Sequence, residues 1–137
     1  MQLDYHAPPV NGSSGRLEQI FLNLVVNASE AMQGHGTLQI LVQPVGALPE
    51  SLVLRPRDAA RHLALKVIDS GPGIEAEILP RIFEPFFTTK NRGATRGTGL
   101  GLSMVYTMAE QEGWGISVET QAGRGTTFCI LVPVAAG

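Results

Sequence analysis

The stretch GISVETQAGRGTTFCILVPV near the C-terminus constrains the fold of this chain most tightly. Two runs of β-branched and apolar residues flank a glycine-bearing turn at residues 123–125, the pattern of a β-hairpin. Upstream, TLQILVQPV predicts a strand with Leu38, Ile40 and Val42 alternating, and LALKVIDS predicts another. Leu17, Ile20, Phe21, Leu24, Ala28 and Ala31 recur at helical spacing. Ser13 and Ser14 offer an N-cap for that helix, which runs to about Met32 and ends at Gly34-His35-Gly36. Residues 99–112 read as a second helix, with Leu102, Val105, Met108 and Ala109 on one face and Gly113 as its stop. EAEILPRIF suggests a short third helix interrupted by Pro80. Residues 2–10 form a weak strand pattern broken by Pro8-Pro9, and roughly residues 46–61 and 84–98 read as loops, the second one mobile. Adjacent strands with three helices predict an α+β two-layer sandwich: a mixed, mostly antiparallel sheet with about three helices on one face.

The 137 residues fit one domain, and 44% hydrophobic with 16% charged residues is a globular composition. A net charge of -2 argues against a nucleic-acid footprint, which needs a basic surface. The single Cys129 lies in an apolar run and reads as a reduced core residue. No apolar run is long enough to span a membrane, and no signal peptide opens the chain, so a cytoplasmic location without membrane contact is expected.

Five short stretches carry possible chemistry. In NLVVNASEA, Asn23 and Asn27 stand four apart on one helical face; they are either an exposed polar pair or oxygen ligands for a hard cation such as Mg²⁺. In VIDSGPGI, an apolar strand ends in Asp69 before the glycines Gly71 and Gly73. That is either a capped turn or a carboxylate set to accept from an exocyclic amine while a flat ring approaches. IFEPFFTTK offers Phe83, Phe86 and Phe87, with Lys90 beyond them. RGTGLGLS places Gly97, Gly99 and Gly101 at a helix start, where free N–H groups and the helix dipole favour an anion. No strand precedes it and no GK[ST] ends it, so neither the dinucleotide nor the P-loop fingerprint fits. GRGTTF is a tight turn entering a strand.

In this order and spacing, the five boxes closely resemble the ATP-binding catalytic domain of sensor histidine kinases, a Bergerat fold in the wider group of gyrase, Hsp90 and MutL ATPases. The resemblance covers about residues 10–133. It implies ATP and Mg²⁺, with Asn27 as the metal-side residue and Asn23 near the phosphates. Asp69 would read the adenine amino group, joined through water by Thr126; Gly71, Gly73 and Ile74 would shape the base pocket. Phe87, Thr88, Thr89, Lys90, Arg96, Gly97, Thr98, Gly99, Leu100 and Gly101 would form the lid, at about residues 87–98, and the phosphate-facing helix start. ATPase relatives carry a glutamate where Asn23 stands, and an amide cannot accept a proton at neutral pH, so Asn23 favours transfer over hydrolysis.

Three departures stand out. Glu30 occupies a place where a basic residue is frequent, so phosphate contact passes to Lys90 or Arg96; Trp114 replaces a common glycine; and NRGA lengthens the lid. None of the histidines fits a phosphoacceptor helix. His6 precedes Ala-Pro-Pro, His35 lies between glycines, and His62 starts a strand, where it reads as a partly exposed edge residue. The resemblance therefore implies a catalytic domain over residues 1–137, monomeric when isolated, acting on a histidine-bearing dimerisation domain outside it and through that on a response regulator. A nucleotide-binding regulatory module without catalysis and an anti-sigma-type serine kinase are the alternatives.

Overall fold

The structure is a computed structural model and describes residues 14–57, 61–85 and 101–133. Helix α1 (Ser14–Ala31) is followed by strands β1 (Leu38–Val45), β2 (Leu52–Leu54) and β3 (His62–Asp69). A single 3-10 turn (Leu79–Arg81), helix α2 (Gly101–Glu112) and strands β4 (Gly115–Thr120) and β5 (Thr126–Pro133) complete the order. The five strands form one sheet in the order β1-β3-β5-β4-β2, and every neighbouring pair is antiparallel.

The α+β sandwich is as expected, with three corrections. Two helices are present among the described residues rather than about three. Pro80 has no amide proton to continue a helix, and EAEILPRIF forms successive turns with a three-residue 3-10 segment and no α-helix. Among the described residues every strand pairing is antiparallel, where a mixed sheet was expected. The expected loop over residues 46–61 contains β2, three half-buried residues that pair with β4 at the sheet edge.

Alternation sorts the strand residues onto two faces. Leu38, Ile40 and Val42 of β1, Leu65 and Val67 of β3, Ile116 and Val118 of β4, and Phe128, Ile130 and Val132 of β5 pack against the helices. Ile20, Phe21, Leu24 and Ala28 of α1 and Val105 and Ala109 of α2 close that core. Burying a Leu, Ile or Phe contributes about 1.5–3 kcal/mol, so this layer carries most of the stability. Trp114, which had no role in the sequence, is 1% exposed and fills the same core. Phe83 joins it through Tyr106 (ring centroids 5.6 Å apart) and an edge-on contact with Phe128 (6.4 Å). On the opposite face Ala64, Cys129 and Leu131 form a small second cluster.

The helix ends are tightly specified. Gly113 takes φ +81, with Trp114 N–H donating to the Ala109 carbonyl and Gly113 N–H to that of Glu110. This six-to-one and five-to-two pair stops α2. At the end of α1 the first left-handed residue is Gln33 at φ 54, one position before the glycine expected to end it. Arg16 joins the far end of α1 to α2 through Glu112 (3.4 Å) and Gln111. Arg57 donates to the Glu110 and Gln111 carbonyls at 2.8 and 3.1 Å, so a side chain from beyond β2 caps α2.

Candidate functional site

Asp69 is the last residue of β3, an interior strand, and pairs with Leu38 on one side and Thr126 on the other. It faces the helix layer and is only 5% exposed. Its Oδ1 accepts the Gly71 N–H at 2.8 Å. Burial pushes the carboxyl pKa above the usual 3.8, while the backbone N–H groups of Gly71 and Thr126 pull it back down. The result is a buried hydrogen-bond acceptor held in one orientation by the backbone around it.

The turn that follows is strapped on two sides. Ser70 N–H donates to the Thr37 carbonyl, and the Ser70 hydroxyl accepts from Thr37 N–H at 2.8 Å, tying the turn to the entry of β1. On the other side Gly123 N–H donates to the Pro72 carbonyl at 2.6 Å. Gly73, at φ +76, approaches the hairpin so closely that a Cβ there would lie 2.1 Å from the Gln121 carbonyl oxygen. Only glycine meets both demands. Gly71 lies over the end of α1, where a Cβ would meet Met32 and Ala31 at 3.3 and 3.7 Å. Ile74 packs against the core and donates its N–H to Thr120 Oγ1 at 2.8 Å. Thr120 Oγ1 is also 2.9 Å from Thr126 Oγ1. The structure thus gathers Asp69, Gly71, Gly73, Ile74 and Thr126 at one end of the sheet. It adds Thr120, whose only signal in the sequence is that of an ordinary β-branched strand residue.

Helix α1 runs from this turn toward the start of α2. Near its middle, Asn23 accepts from Gln19 Nε2 at 3.0 Å, and its Nδ2 reaches the Gly101 carbonyl at 3.5 Å. Gly101 is the first residue of α2. Asn27 lies one turn closer to the Asp69 end and is half-buried. From Asn23 to Ala31 the helix rises about 12 Å, so the Asp69 turn and the start of α2 stand at opposite ends of one strip of α1. A helix start presents free N–H groups and positive dipole character to whatever lies there.

No group of three or more His, Cys, Asp or Glu that could hold a metal occurs among the described residues. Magnesium commonly keeps several waters and shares few protein ligands with substrate phosphates. An amide oxygen such as that of Asn27 is a donor of the kind magnesium accepts.

Phe86, Phe87, Thr88, Thr89, Lys90, Arg96, Gly97, Thr98, Gly99 and Leu100, and with them the expected lid, lie outside the described residues, as do His6 and the expected strand at residues 2–10. His35 is exposed in the turn after α1. His62 corrects the sequence reading. It is 3% exposed rather than at an open edge, because β1 and β5 flank β3 on both sides. It pairs with Val45 and Pro133 at the end of β3 opposite Asp69, seven residues and about 23 Å away. A concavity of about 310 Å³ lies on the other face of the sheet, lined by Ala64, Lys66, Glu119 and Cys129 among others. It includes neither Asp69 nor Thr126 and lacks their convergent hydrogen bonds, so the chemistry points to the helix-side site.

Residues 12–136 match the family described as histidine kinase-, DNA gyrase B-, and HSP90-like ATPase. The chain is 43% identical over 126 residues to the sensor kinase CckA of Brucella abortus, covering 91% of this chain and 13% of that protein. It is 45% identical over 135 residues to the sensory histidine kinase/phosphatase NtrB of Rhodobacter capsulatus, covering 96% and 36%. The chain thus spans a minor part of the curated relatives it matches. Among solved structures, the nucleotide-free catalytic domain of histidine kinase ThkA superposes with a TM-score of 0.66 at 32% identity, over 91% of this chain and 70% of that one. Full-length ShkA in complex with AMPPNP gives 0.71 at 27%, over 96% and 24%.

Proposed function

Because the chain belongs to the histidine kinase-, DNA gyrase B-, and HSP90-like ATPase family, we propose that it is the ATP-binding catalytic domain of a sensor histidine kinase. In this reading the γ-phosphoryl passes to a histidine on a helical dimerisation domain outside residues 1–137, and from there to a response regulator. Relatives named as sensor kinases support it, as does a structural neighbour solved with AMPPNP. The observation that carries it is Asp69, a buried acceptor at a strand end, oriented by Gly71 N–H above a turn that requires glycine at position 73.

Asp69 accepts the exocyclic amine of adenine, Thr126 works beside it, and Ile74 packs against the ring. Gly71 and Gly73 allow the backbone to come close. Asn27 offers its amide oxygen on the phosphate side. Magnesium, when bound there, supplies charge neutralisation to the phosphates. Asn23 stands where the phosphates meet α2 and, having no basic group, does not activate water. Lys90 and Arg96 of the lid complete the cation set. Positioning and charge neutralisation then account for catalysis. No described helix is long and apolar enough to cross a membrane, and the use of ATP suits a cytoplasmic site of action.

The test is calorimetry with ATP and GTP on Asp69→Ala, followed by incubation with γ-labelled ATP and a cognate dimerisation domain. Loss of the adenine contact should weaken ATP by about 5- to 150-fold, from roughly 1–3 kcal/mol. Acid-labile label should appear only on the added domain. Unchanged ATP affinity in folded Asp69→Ala would sink the site assignment. Tight ATP binding without transfer would leave a nucleotide-binding regulatory module.

A further inference from the structure

The sheet face turned away from the helices is not bare. The loop between β1 and β2 folds over it, with Leu48 and Leu52 packed on Ala64, Cys129 and Leu131. The Ser51 hydroxyl lies 2.7 Å from that of Ser117, and Val118 N–H donates to the Ser51 carbonyl at 3.2 Å, which ties the loop to β4. The small side chains Ala64, Ser117 and Cys129 leave a groove of about 310 Å³ on this face, at the lower end of the range for small-molecule pockets. Its lining is divided. Toward the His62 end stand the apolar Val45, Ala64 and Leu131, and toward the Asp69 end stand Lys66, Thr127 and Glu119. Lys66 pairs with Cys129 across β3 and β5, and Glu119 pairs with Thr127 across β4 and β5. The two charges therefore flank β5 on strands two spacings, about 10 Å, apart. Burial is the main influence on the Cys129 thiol; after it the Lys66 ammonium pulls the pKa down and the Glu119 carboxylate pushes it up, so both charges bear on the groove floor. Among the described residues no ion pair joins Lys66 to Glu119, and neither has another ion-pair partner. Lys66 is half-buried, and a charge partly withdrawn from water gains from a counter-ion.

We propose that this groove is a second ligand site and takes a free α-amino acid with an aliphatic side chain: its carboxylate meets Lys66, its ammonium meets Glu119, and its side chain lies on the apolar half. A simple acid would meet Lys66 but be repelled by Glu119, and a simple amine the reverse. A zwitterion matches both charges at once. The Thr127 hydroxyl, a donor and an acceptor, stands on the strand between them and serves either group. Val45, Ala64 and Leu131 offer the side chain an apolar surface out of water. The groove shares no residue with the helix-side site, so this proposal stands independently of the nucleotide reading.

The experiment titrates the nucleotide-free chain with L-leucine and follows backbone amide shifts by NMR. Saturable shifts should be larger at Lys66, Thr127 and Cys129 than at Asp69, Gly71 and Ile74. Isocaproate, which is leucine without the ammonium, and isoamylamine, which is leucine without the carboxylate, should each bind about 10-fold more weakly, the worth of one charge-assisted hydrogen bond. Glycine, with no side chain to bury, should lose a similar factor of about 10. Lys66→Met keeps the aliphatic stem and should erase the advantage of leucine over isoamylamine. Glu119→Gln should erase its advantage over isocaproate, because each effect runs through one charge. If Lys66→Met does not fold, Lys66→Gln carries the same comparison. No saturation by about 10 mM leucine would overturn the proposal. Equal affinity for leucine and its two half-molecules, or shifts centred on Asp69 and Ile74, would do the same.

Discussion

Gly125→Ala should open the site from its hairpin side. Gly125 has φ +91, and a Cβ there would lie 2.2 Å from the Asp69 carbonyl oxygen, 3.2 Å from its carbon and 3.3 Å from Ser70 Cα. The left-handed conformation costs an alanine about 1–2 kcal/mol. The overlap is with backbone, so no rotamer relieves it. The ends of β3 and β5 must part, which breaks the Asp69–Thr126 pairing and strains the bonds of Thr120 to Thr126 and Gly125. Two or three hydrogen bonds at about 1 kcal/mol each bring the loss to roughly 3–5 kcal/mol. Gly123 is the internal control: it has φ +83 with nothing within 4 Å of an added Cβ. Gly123→Ala should therefore lose only the backbone term, about 1–2 kcal/mol. Urea titrations of both variants, read at equal slope, give the difference directly. Coincident midpoints for the two variants would refute the close approach as the reason for glycine at 125.

In the proposed adenine site the ionised carboxylate of Asp69 is the stronger acceptor for the amine, and its pKa is raised above 3.8, so ATP affinity should fall as pH drops through that raised value. A midpoint at or below 3.8 in the affinity profile would contradict the burial argument. The same raised pKa means that the proton is held more tightly in the folded protein than in the unfolded chain. Ionisation of Asp69 as pH rises past 3.8 therefore costs stability, and Asp69→Asn should unfold no more easily than the parent at pH 7 while binding ATP less well. Asn27→Ala should remove most of the Mg²⁺-dependent part of ATP binding and leave metal-free adenosine binding intact; equal weakening of both would make Asn27 structural. Cys129 is 4% exposed, with its thiol pushed up to about 11. Thiol reagents at pH 8 should modify it only as fast as the protein opens, and rapid stoichiometric labelling of the native protein would disprove its burial.

The elements that periodicity marks were legible in the sequence: α1 from its apolar spacing, β1 and β3 from alternation, the β4–β5 hairpin from its glycine turn. β2 was not, because three residues between Pro49 and Pro56 are too short to show alternation, and only pairing with β4 makes them a strand. His62 was misread because a polar residue at a strand start looks like an edge. What buries it is β5, whose Pro133, about 70 residues downstream, pairs with His62. The candidate site was legible where backbone demands glycine, at Gly73, and where a carboxylate ends an apolar run, at Asp69. Thr120 was not, since its part depends on a hydroxyl meeting Ile74 and Thr126 across two loops. Arg57 escaped notice for the same reason, because the carbonyls it caps belong to a helix more than fifty residues away.

The middle position of β5 bears on how the chain folds. Without β5, β1 with β3 and β4 with β2 are two separate two-stranded ribbons, and such ribbons are marginal in water. Of the described strands, the one that joins them is made last. Its pairing with β3 closes a long stretch of chain, so the central ladder forms late and against a large loop entropy. Until then the apolar faces of β1, β3 and α1 lack half their cover. Co-translationally, the domain should gain protease resistance in a single step as residues 126–133 emerge, with no stable fragment before it.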